Sequence, residues 1–305
     1  SLLVAGALLV GPCTTLMAEK LGDPMQAALV VIGLAALVPG RAGAAACLLA
    51  IPPVLLIHEA AIFLHAPVLL ALAAARVGRP PSVLPLAAVT AALAGLSLLF
   101  SDQPGSVPTA RIVTAAGTEI GGASAILPGF GELLRQEMQA RFGTPAAAFR
   151  TAEILARALA WPLLVVAALA ALRREAAPLR AFAALFALSL PLYAVAHDWG
   201  RFAIHTLFGA LLLVQGGACP RLAPMEAAAA AGLDRAVRLL RRVATREVLV
   251  IALFLTSANP RYRVDGMTRE NLVALVAVLG IVIILQEATL RARAGAPPPP
   301  PGRPV

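Results

Sequence analysis

The stretch AGAAACLLAIPPVLLIHEAAIFLHAPVLLALAAA, residues 42–75, decides the fold. Its 34 residues carry one carboxylate and no Lys or Arg. A helix needs only about 20 apolar residues to cross a bilayer, so this run is too long for a single ordinary crossing. It is either one long kinked helix or two short helices folded back at His58-Glu59. Pro52 and Pro53 are expected to disrupt its first half, and a carboxylate at its centre favours the hairpin.

The rest of the chain reads the same way. Of its 305 residues 60% are hydrophobic and 13% charged, and the mean hydropathy is +0.85, outside the range of soluble domains. Apolar runs bounded by Arg, Pro or Gly recur along the length, without the two-residue alternation of a transmembrane β-strand. Spans are expected near 1–17, 25–40, 43–57, 60–75, 83–100, 156–172, 181–196, 202–216, 247–257 and 271–286. The fold class expected is all-α, a polytopic transmembrane helical bundle of about ten spans. One domain covers 1–290, and the Pro-rich tail, 291–305, is expected to be disordered. The apolar start lacks an initiator Met, so the chain is expected to begin inside a longer product.

Charge sets the orientation. The net charge is +9, but 24 of the 25 basic residues are Arg scattered among spans, which argues for membrane topology and against nucleic acid as a partner. Alternate connections holding Arg41, Arg76, Arg79, Arg173, Arg174, Arg180, the arginines of 221–246 and those after 290 carry 15 basic and five acidic residues. The opposite set carries 10 basic and 11 acidic residues. By the positive-inside rule the first set is cytoplasmic, with both termini inside a bacterial inner membrane. His58-Glu59, the stretch His197-Asp198-Trp199-Gly200-Arg201 and the loop 101–155 then share the extracytoplasmic face. Within that loop, Glu132–Phe142 is expected to form an amphipathic helix, with Leu133, Leu134 and Met138 as its apolar stripe and Arg135, Glu137 and Arg141 facing away. The segment 221–246 reads as a basic amphipathic helix against anionic lipid.

All four histidines fall in two look-alike motifs, His58-Glu59 with His65 and His197-Asp198 with His205. Ionisable groups at membrane depth are costly and mark functional sites by default. Metal is the first chemistry to test. Two imidazoles of one helix chelate a single ion at i and i+4, whereas spacings of seven and eight separate them by about 10–12 Å along the axis. No metal is therefore expected within one helix, and no cofactor. Only by pooling His58, Glu59, His197 and Asp198 across two hairpins does a metal set arise. The isolated cysteines add no ligand spacing.

Acid–base work is the second chemistry. Glu59 at a semi-apolar interface and Asp198 beside Arg201 are pushed in opposite directions, as division of labour between an acid and a base requires. His58 and His197 are expected to assist, which makes His58, Glu59, His197 and Asp198 the catalytic candidates. The plain alternative is that the carboxylates pair locally or cap a helix, Asp198 at the start of the span near Phe202. Arg201 can clamp a phosphate bidentately with Trp199 at headgroup depth, so both are substrate-binding candidates. His65 and His205 join them, with hydrogen bonding to a neighbouring helix as the plainer role.

His58-Glu59 with Phe63 and Pro67, and Asp198-Trp199-Gly200-Arg201-Phe202, resemble motifs of poorly characterised bacterial polytopic proteins of capsule, exopolysaccharide or O-antigen loci, similar to polysaccharide polymerases. The resemblance implies a membrane glycosyltransferase acting on polyprenyl-diphosphate-linked glycan in envelope polysaccharide assembly, with Arg201 at the lipid diphosphate and Glu59 or Asp198 as base. Membrane lipid is the other expected partner. Two rivals are a transporter or proton-coupled carrier, in which the motifs form a relay, and an intramembrane metal-dependent hydrolase.

Overall fold

The computed structural model describes residues 24–58, 60–100, 130–195, 198–220, 262–263 and 266–294, and single positions within 231–238. Glu59 and His197, the expected spans near 1–17 and 247–257, the loop up to residue 129, most of 221–246 and residues 295–305 lie outside the described residues. Elements are numbered in chain order. They are α1 (Pro24–Leu37), α2 (Gly40–Ile57), α3 (Ala61–Leu64), α4 (Ala66–Arg76), α5 (Val83–Phe100), α6 (Phe130–Phe142), α7 (Pro145–Arg173), α8 (Ala177–Val195), α9 (Trp199–Gln215) and α10 (Arg269–Ala294). A two-rung antiparallel hairpin of β1 (Tyr262–Arg263) and β2 (Gly266–Met267) precedes α10 and packs on α7 and α9. It is a small addition to the all-α reading.

Residues 42–75 do form a hairpin. Helix α2 ends at Ile57, His58 is extended (φ −162°, ψ 132°), and the chain returns through α3 and α4, which pack along α2. The break at His58 is therefore the turn. Pro52 and Pro53 do not disrupt the first half: α2 runs through both. Leu48 and Leu49, whose carbonyls lie four residues before the prolines and receive no N–H from them, have exposed side chains on the outer face.

Among the described residues three helices are long and apolar enough to cross a membrane: α2, α7 and most of α8. The stretches 25–37, 61–76 and 83–96 are apolar but shorter, so about ten full spans are not seen. Helix α7 begins at Pro145, about three turns before the apolar run expected from residue 156. Thr144 starts it by accepting the Ala147 N–H at 3.1 Å, with Pro145 in the first turn where its missing N–H costs nothing. Helix α10 likewise continues to Ala294, into the expected tail. Exposed apolar side chains line the outside: Val30 and Leu34 on α1, Leu49 and Leu56 on α2, Val273, Val276, Ile281 and Ile284 on α10. Contiguous apolar surface of this kind is compatible with lipid rather than water around the bundle.

Helices α4 and α9 run parallel. His65 meets His205, Gly209 sits against Val68, and Gly216 sits against Leu72, so residue numbers rise together along the seam. A Cβ on Gly209 would lie 2.8 Å from Val68 Cγ2 and 3.0 Å from Leu185 Cδ1, and one on Gly216 2.6 Å from Leu72 Cδ2. Small residues let these helices approach closely, as helix pairs in membranes require. Both helices end alike. Gly78 (φ +77°) and Gly217 (φ +64°) adopt the left-handed conformation that lets Arg79 N–H reach the Ala74 carbonyl and Ala218 N–H reach that of Leu213.

At this same end the α1–α2–α4 unit is strapped by Arg76. Its guanidinium donates to the carbonyls of Ala35 and Gly43 at 2.9 Å each and to that of Ala36, and approaches Cys47 Sγ at 2.9 Å. The last carbonyls of α1, which have no partner within the helix, are thus satisfied by a residue some forty positions away.

Candidate functional site

Because α4 and α9 run parallel, both histidine motifs stand at the same end of the bundle. His65 Nε2 and His205 Nδ1 are 3.0 Å apart, with both side chains buried. One ring nitrogen must donate and the other accept, so the contact gives the two rings complementary roles. Among the described residues no group bonds the buried Nδ1 of His65. His58 and Arg201 lie within electrostatic reach of His205, and His58 of His65. His65 and His205 are therefore the hydrogen-bonded link between two helices. Each is closed off from solvent and spends a ring nitrogen on the other.

His58 is half-buried at the turn, where its Nδ1 accepts the Ala60 N–H at 3.1 Å. That bond bends the chain from α2 into α3. Asp198 occupies the position just before α9, yet its side chain makes no capping bond. The carboxylate is paired with Arg201 one turn on, while its backbone carbonyl accepts the Phe202 N–H at 3.1 Å. Capping by the Asp198 side chain is thus replaced by a local ion pair, which wins because a guanidinium three residues away gives a charge-assisted bond. The same pair engages the Arg201 nitrogen expected to clamp phosphate.

Around this end lies an aromatic cluster. Tyr193 meets Phe186 at 5.1 Å, Phe202 at 5.9 Å and Trp199 at 6.1 Å between ring centroids, and Trp199 is buried. The cluster fixes the start of α9 against the end of α8, and pairs at these separations favour edge-to-face or tilted arrangements.

The sequence reading missed Arg141. It was expected to face away from the bundle, but its side chain is 8% exposed and turned inward. Arg141 donates to the backbone carbonyl of Tyr193, pairs with Glu137 at 3.1 Å and stands 5.0 Å from the Trp199 ring centroid. Its own carbonyl accepts the Thr151 hydroxyl at 3.1 Å. Meanwhile Met138 and Phe142 of the same helix are exposed. Helix α6 therefore buries an Arg, while Met138 and Phe142 are exposed alongside Arg135, Gln136 and Gln139. The sequence signal was the Met138 and Phe142 pair at i, i+4, which reads as core in water and as a lipid-facing edge beside a bilayer.

Between α6, the first turns of α7 and Trp199 lies a half-open cleft of about 640 Å³. Arg141, Arg150, Glu137, Thr144, Thr151 and Trp199 supply its polar and aromatic lining. Trp199 is thereby the one nominated binding residue that borders it. Among the described residues no group of three His, Cys, Asp or Glu could hold a metal. Two members of the pooled set, Glu59 and His197, lie outside those residues. Comparison with protein families, curated proteins and solved structures finds no match for this chain.

Proposed function

We propose that this protein is a membrane-embedded enzyme that transfers sugar units on polyprenyl-linked glycans, at the end of the bundle where the two histidine motifs meet. The observation that carries the reading is the His65–His205 contact between parallel helices, which brings motifs 140 residues apart to one level. Apolar outer faces, with a buried aromatic cluster of Tyr193, Trp199 and Phe202 and the inward-turned Arg141 at this end, support a site within an apolar bundle.

In this reaction a base takes the proton of an acceptor hydroxyl, the oxygen attacks the anomeric carbon, and the lipid diphosphate leaves with the bonding pair. That base is either Asp198, partly exposed and held by Arg201, or Glu59, next to His58 in the chain. His65 and His205 act as positioning residues. The test is transfer from a polyprenyl-diphosphate sugar to an acceptor by purified protein in lipid nanodiscs, with Asp198→Asn and Glu59→Gln alongside. Transfer lost in either variant while the protein stays folded supports the proposal. No transfer by the unsubstituted protein, or full transfer by both variants, rejects it.

A further inference from the structure

We infer that the cleft between α6 and α7 binds the phosphate of a lipid-linked or free phosphate ester, with Arg150 as its principal contact and Trp199 as its wall. The inference rests on the proposed lipid substrate for its biological setting. It assigns the anion contact to a different place from the one the sequence suggested, because Arg201 is engaged by Asp198.

The charge balance of the cleft is the first argument. Two guanidiniums and one carboxylate line it, and the carboxylate, Glu137, is already paired with Arg141 through both Nε and Nη2. Arg150 brings a second cation to the lining. It is exposed, so its guanidinium can turn onto a ligand without leaving a buried position. The Thr144 side chain adds a hydroxyl, and the start of the long helix α7 favours negative charge in the same direction.

The level of the cleft is the second argument. Met138, Phe142 and Phe149, on the same two helices α6 and α7, are exposed apolar side chains, while Arg150 stands exposed in the cleft lining. That combination fits an amphiphile whose chain stays in lipid and whose phosphate enters the cleft. The volume of about 640 Å³ holds such a headgroup with part of an attached sugar. His205 lies six residues beyond Trp199, about 9 Å deeper along α9, so a phosphate here stands at the mouth of the motif site rather than inside it.

The experiment reads Trp199 emission as ligand is added to protein in phosphatidylcholine nanodiscs. It uses Trp161→Phe, and also the unsubstituted protein, in which fully buried Trp161 gives a constant background. An isoprenyl monophosphate is expected to give a saturable change that weakens at least about tenfold in Arg150→Gln, the loss of one charge-assisted contact. Inorganic phosphate saturating the same signal with the same Arg150 dependence supports the site and makes the free anion its ligand. An equal response to the uncharged isoprenyl alcohol, an unchanged affinity in Arg150→Gln, or no saturable response overturns the inference. Sugar transfer measured on the same samples separates the two proposals. Arg150-dependent binding without transfer sinks the reaction and leaves the site standing, and transfer with binding indifferent to Arg150 does the reverse.

Discussion

Replacing Arg76 by Met keeps most of the side-chain volume and removes every donor of the strap. Three backbone carbonyls lose a charged donor: Ala35, Ala36 and Gly43. A hydrogen bond from a charged donor contributes about 1.5–3 kcal/mol, so three independent bonds set a ceiling of roughly 4–9 kcal/mol. The bonds share one guanidinium and Arg76 is only half-buried, so water replaces part of the loss. A net cost of about 3 kcal/mol follows, which for a chain of this size lowers the melting temperature by about 6–12 °C. The assay is thermal unfolding of the purified protein in detergent, paired with maleimide labelling of Cys47, which is fully buried beneath the same guanidinium. Arg76→Met should melt earlier and label faster at Cys47. Arg76→Lys should recover only part of the loss, since one ammonium cannot span carbonyls on both sides of the α1–α2 turn. A melting temperature within about 1 °C of the parent, with Cys47 still protected, would refute the view that α1 is held by this strap.

Four other outcomes follow from the same structure. His205→Leu should destabilise by about 1–3 kcal/mol by leaving a buried ring nitrogen of His65 unpaired, and the double change His65→Phe with His205→Leu should recover part of it; additive losses in a double-mutant cycle would mean the contact contributes nothing. Gly43→Ala should prevent the α1–α2 hairpin from closing, because its Cβ would fall 1.9 Å from the Val38 carbonyl oxygen, and a normally folded variant by melting and Cys47 protection would contradict the packing. Arg141→Gln should shift Trp199 emission and expose α6 to protease, and unchanged emission and digestion would show that α6 is anchored elsewhere. Burial pushes the Cys219 thiol above its ordinary value, with Arg180 opposing only in part, so its maleimide reactivity should lag that of a free thiol near pH 7 and keep rising as pH increases past about 9; a plateau below that would contradict the burial.

Residues 42–75 and the composition were enough to determine apolar helices, some long enough to cross a membrane, and a hairpin at His58. Those conclusions depend on local quantities, namely apolar length, rise per residue and the cost of charge in hydrocarbon, and local quantities are written in order along the chain. The parallel course of α4 and α9 places His65 beside His205. What a side chain does when it arrives is another matter. Asp198 could cap α9 or pair with Arg201, and Arg141 could face out or in; each choice is settled by which partner lies within about 3 Å, a distance that periodicity does not carry. Only the tertiary structure placed the Tyr193 carbonyl under Arg141, the Ala35 carbonyl under Arg76 and a cleft beside Trp199. Each of those contacts joins segments tens of residues apart, and their geometry exists only once the helices have packed.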